Sequence, residues 1–420
     1  MKTGILQLSG RTIFVLLLVL SFRTGSAQTV AGWQASTETV EKLSKSNPGF
    51  NYYEEKVPSY SLPAVLTEKS GKIVTTKEEW TKIRRPELLE LFRTNVYGRV
   101  PSTPYHLDYK VIKEDPKALS GAATLKLVDI AIISGGKSLV IQLILFVPNN
   151  VSKPVPTFLL INLGSKNIDP TRKEKGESWP VDEIISRGYA AAAFNNADLD
   201  PDNFDNFKNG IHGILDNSVR PDDAWGTLAA WAWGASRCMD YLISDKDIAK
   251  DKVAVVGHSR GGKTALWTGA EDQRFAMVVA NESGAGGAAI ARRRFGETVA
   301  RLNTSFPHWF CTNYKKYSDK EDALPVDTNE LLALIAPRAL YIDCASDDLW
   351  GDPKGCYLAL YNSLPVFRLL GINSELSEAV PPLDKQIISG KVAFHIRTGE
   401  HNLKLQDWNF FMDFADKVLK

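Results

Sequence analysis

The sequence predicts an α/β fold with a mostly parallel sheet covered by helices on both faces, and three observations carry that prediction. Short runs of valine, isoleucine, leucine and alanine alternate with longer segments of helical periodicity. The central runs are apolar without interruption, as strands buried on both faces are. One of them ends in a glycine-flanked serine, in the order strand, turn, helix.

Residues 1–27 are expected to be a secretory signal rather than part of the fold. Lys2 and Arg11 give a basic start, 13–20 an apolar core, and Gly25-Ser26-Ala27 a small-residue cleavage site. The apolar run is too short for a bilayer, which needs about 20 residues. A periplasmic or secreted protein follows, with 28–420 as one catalytic domain. Residues 28–75 are polar with little periodicity and are expected to wrap the surface. Residues 80–97 have helical spacing and stop at Gly98. Strands are expected at 139–147, 157–163 and 190–194. A long helix at 224–242 precedes the strand 253–256. Further strands at 276–280, 339–344 and 392–396 complete the alternation. No internal repeat and no low-complexity tract interrupts it.

Removing the signal takes three of the 50 lysines and arginines and none of the 49 acids, which leaves the chain near neutral. That balance points away from nucleic acid and from an anionic membrane surface. No later segment approaches the length of a membrane span, and a monomer is expected. Cys238, Cys311, Cys344 and Cys356 allow three pairings, among which sequence does not choose. Their spacing matches no zinc signature, so neither metal nor cofactor is assigned.

The chemistry starts in "VAVVGHSRGGKTALWTGA". Gly257-His258-Ser259-Arg260-Gly261 is a G-x-S-x-G turn between a buried strand and a helix. So tight a turn forces the central residue into a strained conformation, and glycine on either side removes the Cβ atoms that would clash. The serine hydroxyl then stands at a helix N-terminus, where negative charge is favoured. A lone G-x-S-x-G also arises by chance, and similar turns bind phosphate. The strand-turn-helix context favours a nucleophile.

A nucleophilic serine needs a base, and in this architecture the partners follow in the order serine, acid, histidine. His106, His212 and His258 fall too early. His395 alternates with apolar neighbours inside a strand and reads as core, and His308 reads as part of a packed loop. His401 in "RTGEHNLK" follows the last strand and is the expected base. Two strand ends offer an acid: Glu282 in "NESGAGG", and Asp347 and Asp348 in "ASDDLWGDPKG". Either reaches the histidine in principle, and the residues alone leave the two open. Lys263 lies one helical turn beyond Ser259 and faces the same side. Arg260 brings positive charge where the tetrahedral oxygen turns negative. A second oxyanion donor is expected near Gly164 and Ser165. Glu297 is either an acceptor in the pocket or only a partner of Arg292 to Arg294, and Trp350 is a pocket wall or core.

Together "GHSRGGKTALW", "NESGAGGAAIARRRFGE", "FPHWFC", "SDDLWGDPKG" and "GEHN" resemble the glucuronoyl esterases, carbohydrate esterase family 15, in their bacterial form. The resemblance spans most of 28–420. It implies an α/β-hydrolase fold without metal. It also implies cleavage of esters between 4-O-methyl-glucuronic acid of xylan and lignin alcohols. By the same resemblance Ser259 is the nucleophile, His401 the base, Glu282 the acid and Asp348 a second acid position. Arg260 helps hold the oxyanion, and Lys263, Glu297 and Trp350 contact the sugar acid. Fungal members carry a disulfide-bonded cysteine before the serine; here that position is His258. Two rivals stand beside this reading: an esterase of other acyl preference, such as a xylan acetyl esterase, and a non-catalytic carbohydrate-binding relative.

Overall fold

In the computed structural model, the apolar runs line up as the centre of a ten-stranded sheet. The structure describes Met1 and residues 32–420, apart from 153, 165–167, 172–175 and 218. The expected signal, 1–27, lies outside the described residues except for Met1.

The N-terminal part is more structured than its polar composition implies. Ser36 accepts a hydrogen bond from the Thr39 N–H (3.1 Å) and so caps helix α1 (Thr37–Ser46), which buries none of its residues. Tyr52 behind it is 1% exposed and packs edge-to-face on Phe295. A helical stretch from Lys77 to Tyr97 is regular over α2 (Arg85–Phe92) and widens into π turns at Trp80–Arg84 and Arg93–Tyr97. It stops at Gly98, where φ is +90° and a Cβ would meet Trp225 Cα at 2.4 Å.

Strands β1 (His106–Ala118), β2 (Ala123–Ser134) and β3 (Lys137–Pro148) form an antiparallel meander at one edge. Then come β4 (Val155–Asn162), β5 (Ala190–Asn195), helix α3 (Thr227–Leu242), β6 (Ile248–His258) and helix α4 (Arg260–Glu271). The chain continues through β7 (Met277–Asn281), β8 (Ala339–Ala345) and helix α5 (Pro353–Leu369). It closes with β9 (Ile387–Ser389), β10 (Val392–Arg397) and helix α6 (Leu405–Val418). The strand order is β1-β2-β3-β5-β4-β6-β7-β8-β10-β9, and the six from β5 to β10 at the centre run parallel.

Alternate residues of the central strands feed two cores. Leu159, Val255, Val278 and Leu340 face one side; Phe158, Ala254, Val279 and Tyr341 face the other. Helices α3, α4 and α5 cover the first face, and α6 covers the second with Trp408, Phe411 and Met412. Each such fully buried large side chain contributes about 1.5–3 kcal/mol. On the elbow side, Trp267 of α4 stacks on Tyr97 (centroids 4.4 Å apart, 8° between planes), which ties α4 to the early helical stretch. All four cysteines are buried free thiols.

Parallel register puts one row of polar residues across the carboxyl end of the sheet. His258 stands opposite Asn281, Asn281 opposite Asp343, and Asp343 opposite His395. Ligand sites in open parallel sheets gather at this end.

Candidate active site

The expected elbow is built as a strained turn. Ser259 has φ 56° and ψ −125°, a conformation sparsely populated by side-chain-bearing residues. It is held there because its own N–H donates to Asn281 O (2.9 Å), while its carbonyl accepts from the N–H groups of Gly262 (2.8 Å) and Lys263 (3.1 Å). Gly257 is obligatory at this crossing: a Cβ there would lie 1.9 Å from Gly261 O. The loop after β7 repeats the device, with Glu282 at φ 47°. Its N–H donates to Asp343 Oδ1 (3.2 Å) and Asp343 O (3.0 Å) on the next strand.

Ser259, Arg260, Lys263, Glu282, Glu297, Asp348, Trp350 and His401 all line one cavity of about 420 Å³. The structure therefore brings these eight expected residues together. Gly284, Arg301, Phe306, Trp309 and Gly351 complete the wall.

Glu282 and Asp348 both stand beside the same histidine nitrogen. His401 Nδ1 lies 2.7 Å from Asp348 Oδ2 and 2.9 Å from Glu282 Oε2. Two carboxylates at one nitrogen fix the proton on Nδ1 and leave the other ring nitrogen, Nε2, unprotonated in the neutral form. Burial works against charge on the His401 ring. The hydrogen bonds that the ring donates to Asp348 and Glu282, and then the charges of those acids, outweigh it and lift the imidazole above its ordinary value. Burial pushes the Glu282 carboxyl up, opposed by its hydrogen bond to His401. His258, its ring 4.6 Å from that of His401, is held down to about 4 by burial and by the neighbouring His401, so it stays neutral.

Other sequence expectations sort cleanly. His395 is wholly buried and satisfied, with Nδ1 at Tyr341 Oη (2.9 Å) and Nε2 at Asp407 Oδ1 (2.9 Å). His308 is a buried partner of Asp202 (3.0 Å). Arg292 pairs with Asp327, Arg293 with Asp352 and Glu54, and Arg294 with Glu321 and Asp322. That leaves Glu297 with Lys263, at 2.8 Å, both buried. Lys263 spends its other donors on Ser283 O (2.8 Å) and Ala285 O (2.7 Å), so its ammonium also clamps the loop that carries Glu282. Trp350 packs edge-to-face on Phe50 (4.7 Å), with Arg301 over both rings at 5.8 Å.

Arg260 faces the cavity and pairs with Asp202. Burial tends to raise the Asp202 carboxyl, but hydrogen bonds from His308 and Trp309 and the Arg260 charge hold it down to about 2. Asp202 thereby holds Arg260 and also accepts from Trp309 Nε1 (2.8 Å), whose ring stacks on Phe306 (3.7 Å, 3°). Sequence reading missed Asp202. Its only signal is an acidic turn, "DLDPDN", after β5. For the second oxyanion donor, Ser165 lies outside the described residues, and Gly164 turns its N–H to Asn195 Oδ1 (3.1 Å).

A serine raised on a strained strand-to-helix turn, at the carboxyl end of a parallel sheet, is the architecture of the α/β-hydrolases. The chain has that fold. A family model described as glucuronyl esterase, fungi, matches residues 130–371. A carbohydrate esterase from an unknown prokaryotic organism is 39% identical over 399 residues, 88% of this chain and 92% of its own. The solved glucuronoyl esterase of Solibacter usitatus is 39% identical with a TM-score of 0.81, covering 87% of this chain and 100% of that one. The 4-O-methyl-glucuronoyl methylesterase of Schizophyllum commune is 26% identical over 328 residues, 74% of each chain. The chain belongs to the glucuronoyl esterases, carbohydrate esterase family 15, and is a carboxylic ester hydrolase.

Proposed function

We propose that residues 28–420 form a secreted or periplasmic monomeric serine esterase. Its substrates are esters of 4-O-methyl-glucuronic acid, as in linkages between glucuronoxylan and lignin. Ser259 Oγ attacks the ester carbonyl while His401 takes its proton, and the imidazolium is stabilised by Asp348 and Glu282. The tetrahedral oxyanion faces the Arg260 N–H and guanidinium. Collapse expels the alcohol, which leaves with the proton from His401. Water activated by the same histidine then releases the uronic acid and restores Ser259.

One observation carries this reading. His401, with both carboxylates on Nδ1, shares a cavity with Ser259 and with the buried Lys263–Glu297 pair. A buried ion pair is costly to desolvate, so it is poorly suited to a small apolar acyl pocket and well suited to ring hydroxyls. No helix among the described residues is long and apolar enough to cross a membrane. The test compares benzyl glucuronate with acetylated xylose. Faster turnover of the glucuronate is expected, and preference for the acetate would defeat the substrate assignment.

A further inference from the structure

One buried cation beneath the histidine has no role in the scheme above. Arg397 ends β10 and is 4% exposed. Its Nη2 donates to Glu282 Oε1 (2.8 Å) and to the carbonyls of Glu400 (2.9 Å) and Asn402 (3.1 Å), the two residues that flank His401. Its Nη1 donates to Thr398 O (3.1 Å), and its Nε to both oxygens of Asp407 (3.2 Å each). Glu282 completes the circuit: its Oε2 accepts from the Asn402 N–H (2.7 Å) and faces His401 Nδ1 (2.9 Å). Asp407 in turn accepts from the Lys404 N–H (2.8 Å) at the start of α6. One guanidinium thus joins an acid, the turn bearing the base and the final helix.

We propose that Arg397 is a positioning residue for catalysis. It clamps the turn 398–402 and orients Glu282, so that Glu282 fixes where the imidazole stands. The proposal rests on the Ser259–His401 reading above. A planar fork with five donors serves these acceptors through Nε, Nη1 and Nη2 at once. An ammonium has three donors in a cone and cannot reach all of them. The two acids on Nδ1 then differ in kind. Glu282 has a guanidinium at 2.8 Å before any charge forms on the histidine, whereas the ion pair found for Asp348 among the described residues is with His401 itself. Glu282 is held for placement, and Asp348 answers the new charge.

The test uses Arg397→Lys, Glu282→Gln and Asp348→Asn, singly and in pairs, with active sites counted by titration. The readouts are kcat and KM on an activated acetate ester and the rate at which a fluorophosphonate labels Ser259. Neither depends on the sugar-acid pocket, so loss of the glucuronate assignment would leave this test intact. Absence of labelling in the wild type would instead remove the triad itself. Arg397→Lys is expected to lower kcat and labelling about 10-fold or more per active site with KM nearly unchanged, because small displacements of a catalytic group cost that much. Adding Glu282→Gln to it should cost little more than the worse single change, since both act through one carboxylate. Adding Asp348→Asn should multiply. Unchanged kcat per titrated site in Arg397→Lys, even with a lowered Tm, would make the clamp purely structural and overturn the proposal. So would full multiplication with Glu282→Gln. Should Arg397→Lys not fold, Glu282→Asp withdraws the same carboxylate by one methylene; it should lower kcat at constant KM, and wild-type kcat there overturns the proposal equally.

Discussion

His401 and Asp348 meet at 2.7 Å, from Nδ1 to Oδ2, across two loops that follow neighbouring parallel strands. Asp348 thereby favours the protonated imidazole, as does Glu282 on the same nitrogen. A base must be deprotonated to act, so a raised imidazole moves the acid limb of kcat/KM to higher pH. That limb is expected above the ordinary histidine value of about 6.5. Asp348→Asn should bring it down while lowering the plateau. A limb unmoved by Asp348→Asn would mean that Asp348 does not stabilise the charged histidine.

Ser259→Ala and His401→Ala should each lower kcat by about 10³-fold or more, because members of a triad work as a unit and the double variant loses little beyond either single one. Near-wild-type turnover by either variant, with contaminating esterase excluded by active-site titration, would take that residue out of the chemistry.

The elbow makes a prediction about stability. At Gly257 a Cβ would lie 1.9 Å from a backbone oxygen, whereas at Gly261 the nearest atom, Ile161 O, would lie at 3.2 Å. The first contact has no way to relax without unbending the turn; the second needs a shift of a few tenths of an ångström. Gly257→Ala should therefore abolish soluble, active protein, while Gly261→Ala folds with a modest fall in Tm. Equal Tm values for the two variants would show that the turn is not pinned by this crossing.

What the sequence disclosed, and what it hid, follows from how each residue is used. Central strands such as β6 and β8 are apolar on both faces, so their runs stand out, and Ser259, Glu282, Asp348 and His401 sit at their ends. Strand β1 is an edge strand with most of its residues exposed, and its charged sequence "HLDYKVIKEDPKA" gives no apolar run to find. Helix α5 was obscured by Pro353 and Pro365, although Pro353 only occupies the first turn, where no N–H is needed. Helix α6 does carry helical spacing in Trp408, Phe411, Met412 and Ala415, which form its buried stripe. Asp202 and Arg397 escaped for a different reason. Their importance lies in partners more than 50 residues away, His308 and Glu282, and no local pattern encodes such a pairing.

Lys263 was expected to offer its donors to substrate, but the fold uses them on Ser283 O, Ala285 O and Glu297 Oε2. Removing the lysine would therefore loosen the loop behind Glu282 as well as the pocket, and it is a blunt probe of specificity. Glu297 is the sharper one. Lys263 grips it by Oε2, and its backbone is fixed by the N–H bond to Trp350 O (2.9 Å); glutamine there keeps an acceptor for Lys263, whose bonds to Ser283 O and Ala285 O then remain. A site built to hydrogen-bond hydroxyls discriminates strongly against substrates that lack them. Glu297→Gln should lower kcat/KM for benzyl glucuronate by about 10-fold or more, in line with roughly 1.5–3 kcal/mol for a hydrogen bond to a charged group. Its activity on a simple activated acetate should stay within about 2-fold of wild type, since Ser259, His401 and both acids are untouched. Lys263→Ala, by contrast, should lower both activities, because Ser283 and Ala285 lose their anchor. An equal fall on both substrates in Glu297→Gln would place the ring hydroxyls elsewhere in the cavity, and Phe306, Trp309 and Arg301 would be the walls to test next.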